Sequence, residues 1–137
     1  MTRSGVSLLL SCCVDIQEER DIIAARQLSK EIAKDIGFDL VERVRITNIV
    51  SELARNIYLY AGEGKLYFKR ECGRGITIMA CDDGPGILDI RRALEEGYST
   101  SEGYGSGLPA VKRLVDVFDI DSMPGKGTLI RVTKWCG

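Results

Sequence analysis

A chain of 137 residues has room for one hydrophobic core and not for a second catalytic module. Its 19 Lys and Arg nearly balance its 20 Asp and Glu, which argues against a protein that works by coating nucleic acid or anionic membrane. There is no histidine, so Ser-His-Asp and Cys-His catalysis, histidine phosphorelay and histidine metal sites are excluded. Carboxylates, amides, hydroxyls, Lys, Arg and Cys remain to carry any chemistry.

Residues 6–16 predict a first strand behind an unstructured start. The apolar run Val6 to Val14 lacks the cleavage pattern of a signal peptide, and nothing approaches the ~20 apolar residues of a membrane helix. Residues 20–36 predict an amphipathic helix on Ile22, Ile23, Ala25, Ile32 and Ile36, stopped by Gly37. Asp39 is placed to cap a second helix over 40–60 carrying Val44, Ile49, Val50, Leu53, Ile57 and Tyr60, ended by Gly62 and Gly64. Strands follow at 65–71 and 76–82, joined by the hairpin-type loop Cys72-Gly73-Arg74-Gly75. Residues 83–107 hold six of the fifteen glycines and a short helical patch at 89–96, which marks them as the irregular segment. A helix over 107–117 leads to strands 118–123 and 128–135 around the turn Pro124-Gly125-Lys126-Gly127. The order βααββ(α)αββ predicts an α+β fold, a two-layer sandwich with a mixed β-sheet and helices on one face, as a single domain over 1–137.

The five cysteines are odd in number and none has C-x-x-C spacing, which argues against a disulfide framework or a zinc site. They read as reduced thiols, with Cys12 or Cys13 and Cys81 packed in strands, and so point to the cytoplasm.

Three segments carry chemistry. In Ser51-Glu52-Leu53-Ala54-Arg55-Asn56, Glu52 and Asn56 are four apart on one helix face, about 5–6 Å at Cβ. Glu52 can take protons, and Asn56 offers a neutral carbonyl oxygen suited to Mg²⁺. By spacing alone the pair reads first as solvated surface residues. Asp82-Asp83-Gly84-Pro85-Gly86-Ile87 follows an apolar strand, so Asp82 can aim a carboxylate at an exocyclic amine such as that of adenine, or simply form a β-turn. Gly103-Tyr104-Gly105-Ser106-Gly107-Leu108 runs into a helix and reads as a phosphate cradle or as a flexible loop. A Walker A sequence is absent, because Gly64-Lys65 is followed by Leu66. Gly105 to Ala110 matches G-x-G-x-x-A, but no strand leads into it and no second βαβ half follows, so the match is accidental.

In combination and in this order, the three segments resemble the ATP-binding fold shared by gyrase, the 90 kDa heat-shock chaperones, sensor histidine kinases and MutL, the GHKL or Bergerat fold. Ser51 to Gly62, Gly97-Tyr98-Ser99-Thr100-Ser101, Gly105 to Leu114 and Asp21 to Gln27 are similar to the RsbT-type serine-protein kinases, the anti-sigma-factor kinase group of that fold. The likeness covers about residues 14 to 135. Residues 1–13, an N-terminal extension and the start of the first strand, are longer and more apolar than in the family, and Leu88 stands where the family carries Pro.

The resemblance implies a Mg-ATP-dependent serine/threonine protein kinase. Glu52 would be the general base and Asn56 the Mg²⁺ ligand. Asp82 would accept from the adenine amine, Gly84 and Gly86 would shape the pocket floor, and Thr128 would assist adenine binding. Gly103, Gly105, Gly107 and Leu108 would line the triphosphate beneath an ATP lid at 88–106, while Lys112 and Arg113 could offer charge to a phosphate but read first as solvated. The implied substrates are STAS-domain proteins of a stressosome-type partner-switching pathway. The implied output is a downstream phosphatase or similar protein bound and activated after release. Neither nucleic acid nor membrane is expected as a partner. The alternative is a nucleotide-gated, anti-sigma-like module that acts by docking.

Overall fold

The computed structural model describes residues 11–72, 74–87 and 107–136. The expected short helix at 89–96, the lid at 88–106 and the first residues of the chain lie outside them. The elements run β1 (Ser11–Ile16), α1 (Glu19–Ile36), α2 (Leu40–Asn56), β2 (Gly64–Glu71), β3 (Gly75–Asp82), α3 (Leu108–Leu114), β4 (Val117–Met123) and β5 (Gly127–Trp135).

Local signals set the helix ends. A capping box opens α1: Asp21 Oδ2 accepts from the Gln17 and Glu18 amides, each at 2.9 Å. Those two bonds hold the Asp21 carboxyl below its ordinary value. Gly37, at φ 114°, closes α1 in the left-handed region. Asp39 caps α2 as expected, accepting from the Glu42 amide at 2.9 Å. The end of α2 departs from expectation: the α-helix stops at Asn56, and Ile57–Ala61 form one wider turn closed by Gly62 N–H to Ile57 C=O at 2.9 Å. The last helix also ends early, at Leu114, because Val115 is extended and the Asp116 amide already pairs with the Thr133 carbonyl at 2.9 Å.

The helices pack on one face of a five-stranded sheet of order β1-β2-β3-β5-β4. Ile22, Ala25 and Ala33 of α1 and Ile49, Leu53 and Ala54 of α2 meet Leu66, Phe68, Ile78, Ala80, Ile130 and Val132 of the sheet in a single core. The expected two-layer sandwich is present, but the sheet is not mixed. Every pairing among the described strands is antiparallel. The cause is topological: β3 and β4 run the same way on either side of the crossover through α3, and β5 inserts between them, so they never pair. Ile23 and Val44, counted in the helical stripes, are exposed instead.

All five cysteines are free thiols. Among the described residues, no helix is long and apolar enough to cross a membrane.

Candidate active site

The candidate residues gather where α2, β3, the start of α3 and the β4–β5 turn meet. α2 delivers the first pair. Its buried stripe of Ile49, Leu53 and Ala54 fixes the helix rotation and leaves Glu52 half-buried at the rim with Asn56 one turn further on, only 2% exposed. Arg55 Nη1 lies 3.5 Å from Glu52 Oε2. The Nδ2 atom of Asn56 has no hydrogen-bond partner among the described residues. An amide can turn end for end, so this group can present a carbonyl oxygen to a hard cation or its nitrogen to an anion. The donor set therefore fits Mg²⁺ with phosphate.

α3 reaches the same place from the other side. Leu108 is fully buried and anchors its first turn. Gly107 packs directly on Glu52: a Cβ added there would overlap Oε1 and lie 2.7 Å from Cδ. The sequence thus brings two candidate residues 55 positions apart into contact.

Asp82 ends β3, is 8% exposed, and stands opposite Thr128 of β5 and Gly64 of β2 in register. Its Oδ1 accepts from the Gly84 amide at 2.9 Å, so the turn predicted at 83–86 folds back on the carboxylate. A Cβ on Gly84 would sit 2.6 Å from that of Ala61, and one on Gly64 would sit 2.8 Å from Ile57 Cγ2 and 3.1 Å from Asp82 Cβ. The wide turn after Asn56 is therefore pressed against the Asp82 loop, which joins the two halves of the site.

The far wall is a strap. Gly86, at φ 78°, lies so close to the Met123 carbonyl that a Cβ would overlap it, and Gly125 N–H donates to Pro85 C=O at 2.7 Å. Ile87 N–H donates to Ser122 Oγ at 2.8 Å. Ser122 Oγ is 3.1 Å from the Gly127 carbonyl and 2.9 Å from Thr128 Oγ1. One hydroxyl hydrogen on Ser122 cannot serve both. If it goes to the carbonyl, Thr128 donates to Ser122 and keeps acceptor capacity beside Asp82. Two depressions, of about 310 Å³ and about 350 Å³, border Asp82 and Asp83. Burial, and then the charge of Asp82, pushes the Cys81 thiol up beside them.

Of the expected residues, Glu52, Asn56, Gly107 and Leu108 form one group and Asp82, Gly84, Gly86 and Thr128 the other, while Gly103 and Gly105 lie outside the described residues. Ser122, Gly127 and Ala61 also shape the site and were not expected. Gly127 had a signal in Gly125-Lys126-Gly127-Thr128, read only as a turn; Ser122 and Ala61 had none.

Residues 41–135 match the family described as histidine kinase-, DNA gyrase B- and HSP90-like ATPase. The chain is 53% identical over 126 residues to the serine/threonine-protein kinase RsbT of Bacillus subtilis (strain 168), covering 90% of this chain and 95% of that protein. It is 32% identical over 120 residues to the anti-sigma F factor of Thermoanaerobacter sp. (strain X514), covering 82% of this chain and 84% of that one. In structure it is similar to full-length ShkA, crystallised with AMPPNP, at a TM-score of 0.57 and 20% identity, over 82% of this chain and 28% of that one. The histidine kinase domain of the Erythrobacter litoralis EL346 blue-light activated histidine kinase gives a TM-score of 0.53 at 19% identity, over 80% of this chain and 60% of that one. These two likenesses bear on the fold alone. The chain belongs to the histidine kinase-, DNA gyrase B- and HSP90-like ATPase family, and within it to the RsbT-type serine/threonine-protein kinases.

Proposed function

We propose that this kinase transfers the γ-phosphoryl group of Mg-ATP to a serine or threonine hydroxyl of a STAS-domain partner in a stressosome-type partner-switching pathway. Once released, it binds and activates a downstream output protein such as a phosphatase. The observation that carries the reading is the packing of Glu52 on Gly107, with Asn56 Nδ2, unpaired among the described residues, one turn away. A carboxylate used only as a surface charge has no need of a backbone pressed against it.

In this reading Glu52 accepts the proton of the attacking hydroxyl as its oxygen bonds to the γ-phosphorus and the bond to the bridging oxygen of ADP breaks. Asn56 holds Mg²⁺, whose charge offsets that of the phosphate oxygens. Asp82 accepts from the adenine amine with Thr128 assisting, over a floor made by Gly84 and Gly86, and Gly103, Gly105, Gly107 and Leu108 line the triphosphate. Asp82 and Thr128 stand opposite each other in register, which supports a joint role at one end of the pocket. The free thiols fit a cytoplasmic protein.

The likeness to anti-sigma F factors supports a second reading, a nucleotide-gated module that acts by docking. Docking alone does not need Glu52. Intact-mass spectrometry with Mg-ATP and the STAS-domain proteins of the same organism separates the two. A gain of one phosphate that Glu52→Ala abolishes is the expected result. Tight nucleotide binding with no phosphate on any STAS protein would leave the docking reading.

A further inference from the structure

The helical hairpin exposes what the sheet does not bury. Leu40, Val41 and Val44, at the start of α2, are 69%, 59% and 53% exposed. Leu40 and Val44 line a groove of about 420 Å³ between α1 and α2, together with Lys30 and Lys34 of α1 and Arg43 of α2. Among the described residues, no acidic side chain lines this groove. Of the carboxylates nearby, Glu31 and Asp35 line a separate depression, Asp35 paired with Arg70 at 2.6 Å; Asp39 accepts from the Glu42 amide at 2.9 Å, and Glu42 pairs with Arg45 at 3.2 Å and Lys134 at 3.1 Å. Lys30 and Lys34 make no ion pair among the described residues. Arg43 is held in place by its Nε–H bond to the Phe38 carbonyl at 2.8 Å. The chain as a whole has a net charge of −1, so this is a segregated patch and not a general excess of cations.

We infer that this groove docks an acidic, apolar-faced helix of the protein that the kinase phosphorylates; the inference rests on the function proposed above. The groove takes apolar side chains at i, i+3 and i+4 spacing between Leu40 and Val44, and its cations meet carboxylates along the rim of the incoming helix. Val44 and Glu52 are eight residues apart on one helix, about 12 Å along its axis. A partner seated in the groove therefore leaves the catalytic rim open and brings its own hydroxyl-bearing segment near it, which raises the local concentration of substrate. Anionic lipid also attracts basic, apolar surfaces, but interfacial helices present a convex face. A concave groove between two helices favours a protein.

The test measures phosphotransfer to the STAS-domain substrate for the unaltered kinase, for Val44→Glu and for the double variant Lys30→Glu/Lys34→Glu, with ATP affinity and thermal unfolding beside it. The three side chains are exposed, so the fold and the ATP affinity stay as they are. The KM for the protein substrate rises about tenfold or more in both variants, and kcat is unchanged. Unchanged KM in both variants overturns the proposal. Binding of the unaltered kinase to phosphatidylserine–phosphatidylcholine vesicles, lost in the same variants while KM is not, assigns the groove to lipid. Self-association abolished by Val44→Glu with KM unaffected assigns it to a second copy of the chain. If the unaltered kinase phosphorylates no STAS protein, the proposed function fails first and the docking proposal with it, a result distinct from a normal KM in the variants.

Discussion

Gly107 has no side chain, and Glu52 fills the space one would take. The atoms a new Cβ would strike belong to the end of a flexible side chain, so in Gly107→Ala the carboxylate swings aside and the backbone stays. The φ of Gly107, 177°, lies outside the left-handed region that favours glycine. The melting temperature is therefore expected to stay nearly constant while single-turnover phosphotransfer falls about 100-fold, the usual scale for losing a positioned base. A drop in stability as large as the drop in rate would place the collision on the backbone. Cys81 supplies a pH-dependent prediction at the same scale. Its thiol is pushed above the ordinary value of 9.0 by burial and then by Asp82. A raised pKa means less thiolate at any pH below it, and the thiolate is the nucleophile. At pH 8.5 iodoacetamide is expected to label Cys81 well after the exposed Cys13 and Cys72, which peptide mapping over a time course reads directly.

β5 joins the sheet through a glycine of a different kind. Gly127 opens the strand at φ 95°, and a Cβ there would overlap the Asp82 carbonyl and lie 2.9 Å from Asp83 Cα. Both obstacles are backbone, and the conformation itself strains any other residue. Gly127→Ala is expected to cost about 3 kcal/mol in urea unfolding and to weaken ATP binding by prising Asp82 from Thr128, the opposite balance to Gly107→Ala. Unchanged unfolding would mean that the turn can move without the strands. The contrast marks what the sequence could reveal. Helices α1 and α2 and the β2–β3 hairpin were legible because their signals are local: apolar periodicity, Asp39 as a cap, Gly37 as a stop. Family likeness, and not spacing, singled out Glu52, Asn56, Asp82 and Thr128 as candidates; by spacing alone Glu52 and Asn56 read as solvated surface. The insertion of β5 between β3 and β4 was not, since it depends on pairings between distant segments, and the sheet was expected to be mixed for that reason. The close packing of Gly127 on Asp82 and the bond from Ile87 to Ser122 follow from the same pairings, so Gly127 read as a turn former and Ser122 carried no signal. Val44 was misplaced because α2 has an apolar stripe wider than its buried face.

Across the whole molecule, α3 is pinned at both ends. It starts on Glu52 through Gly107 and finishes on Lys134, whose Nζ donates to the Leu114 carbonyl at 3.0 Å. The same ammonium, on a side chain 12% exposed, lies 3.1 Å from Glu42 Oε1 of α2. That oxygen is buried without an aligned hydrogen bond, so the Lys134 charge is what offsets its desolvation. One side chain of β5 thereby ties α2 to α3 at the end remote from Gly107 and Glu52. Lys134→Met leaves the buried Oε1 of Glu42 without its nearest cation, while Arg45 still holds Oε2 at the half-open rim, and is expected to cost about 2 kcal/mol. Glu42→Gln removes the charge and is expected to cost less. In the double variant neither charge remains to be stranded, so its loss should fall short of the sum of the two single losses by about 1–2 kcal/mol. Urea unfolding of the four proteins measures that coupling. Amide exchange at Val111, whose N–H bonds the Gly107 carbonyl at 3.1 Å, should quicken in Lys134→Met as the end of α3 frays. Additive losses with unchanged exchange would mean that α3 keeps its place through Leu108 and Val111 alone, and that the positioning of Gly107 on Glu52 owes nothing to the far end of the helix.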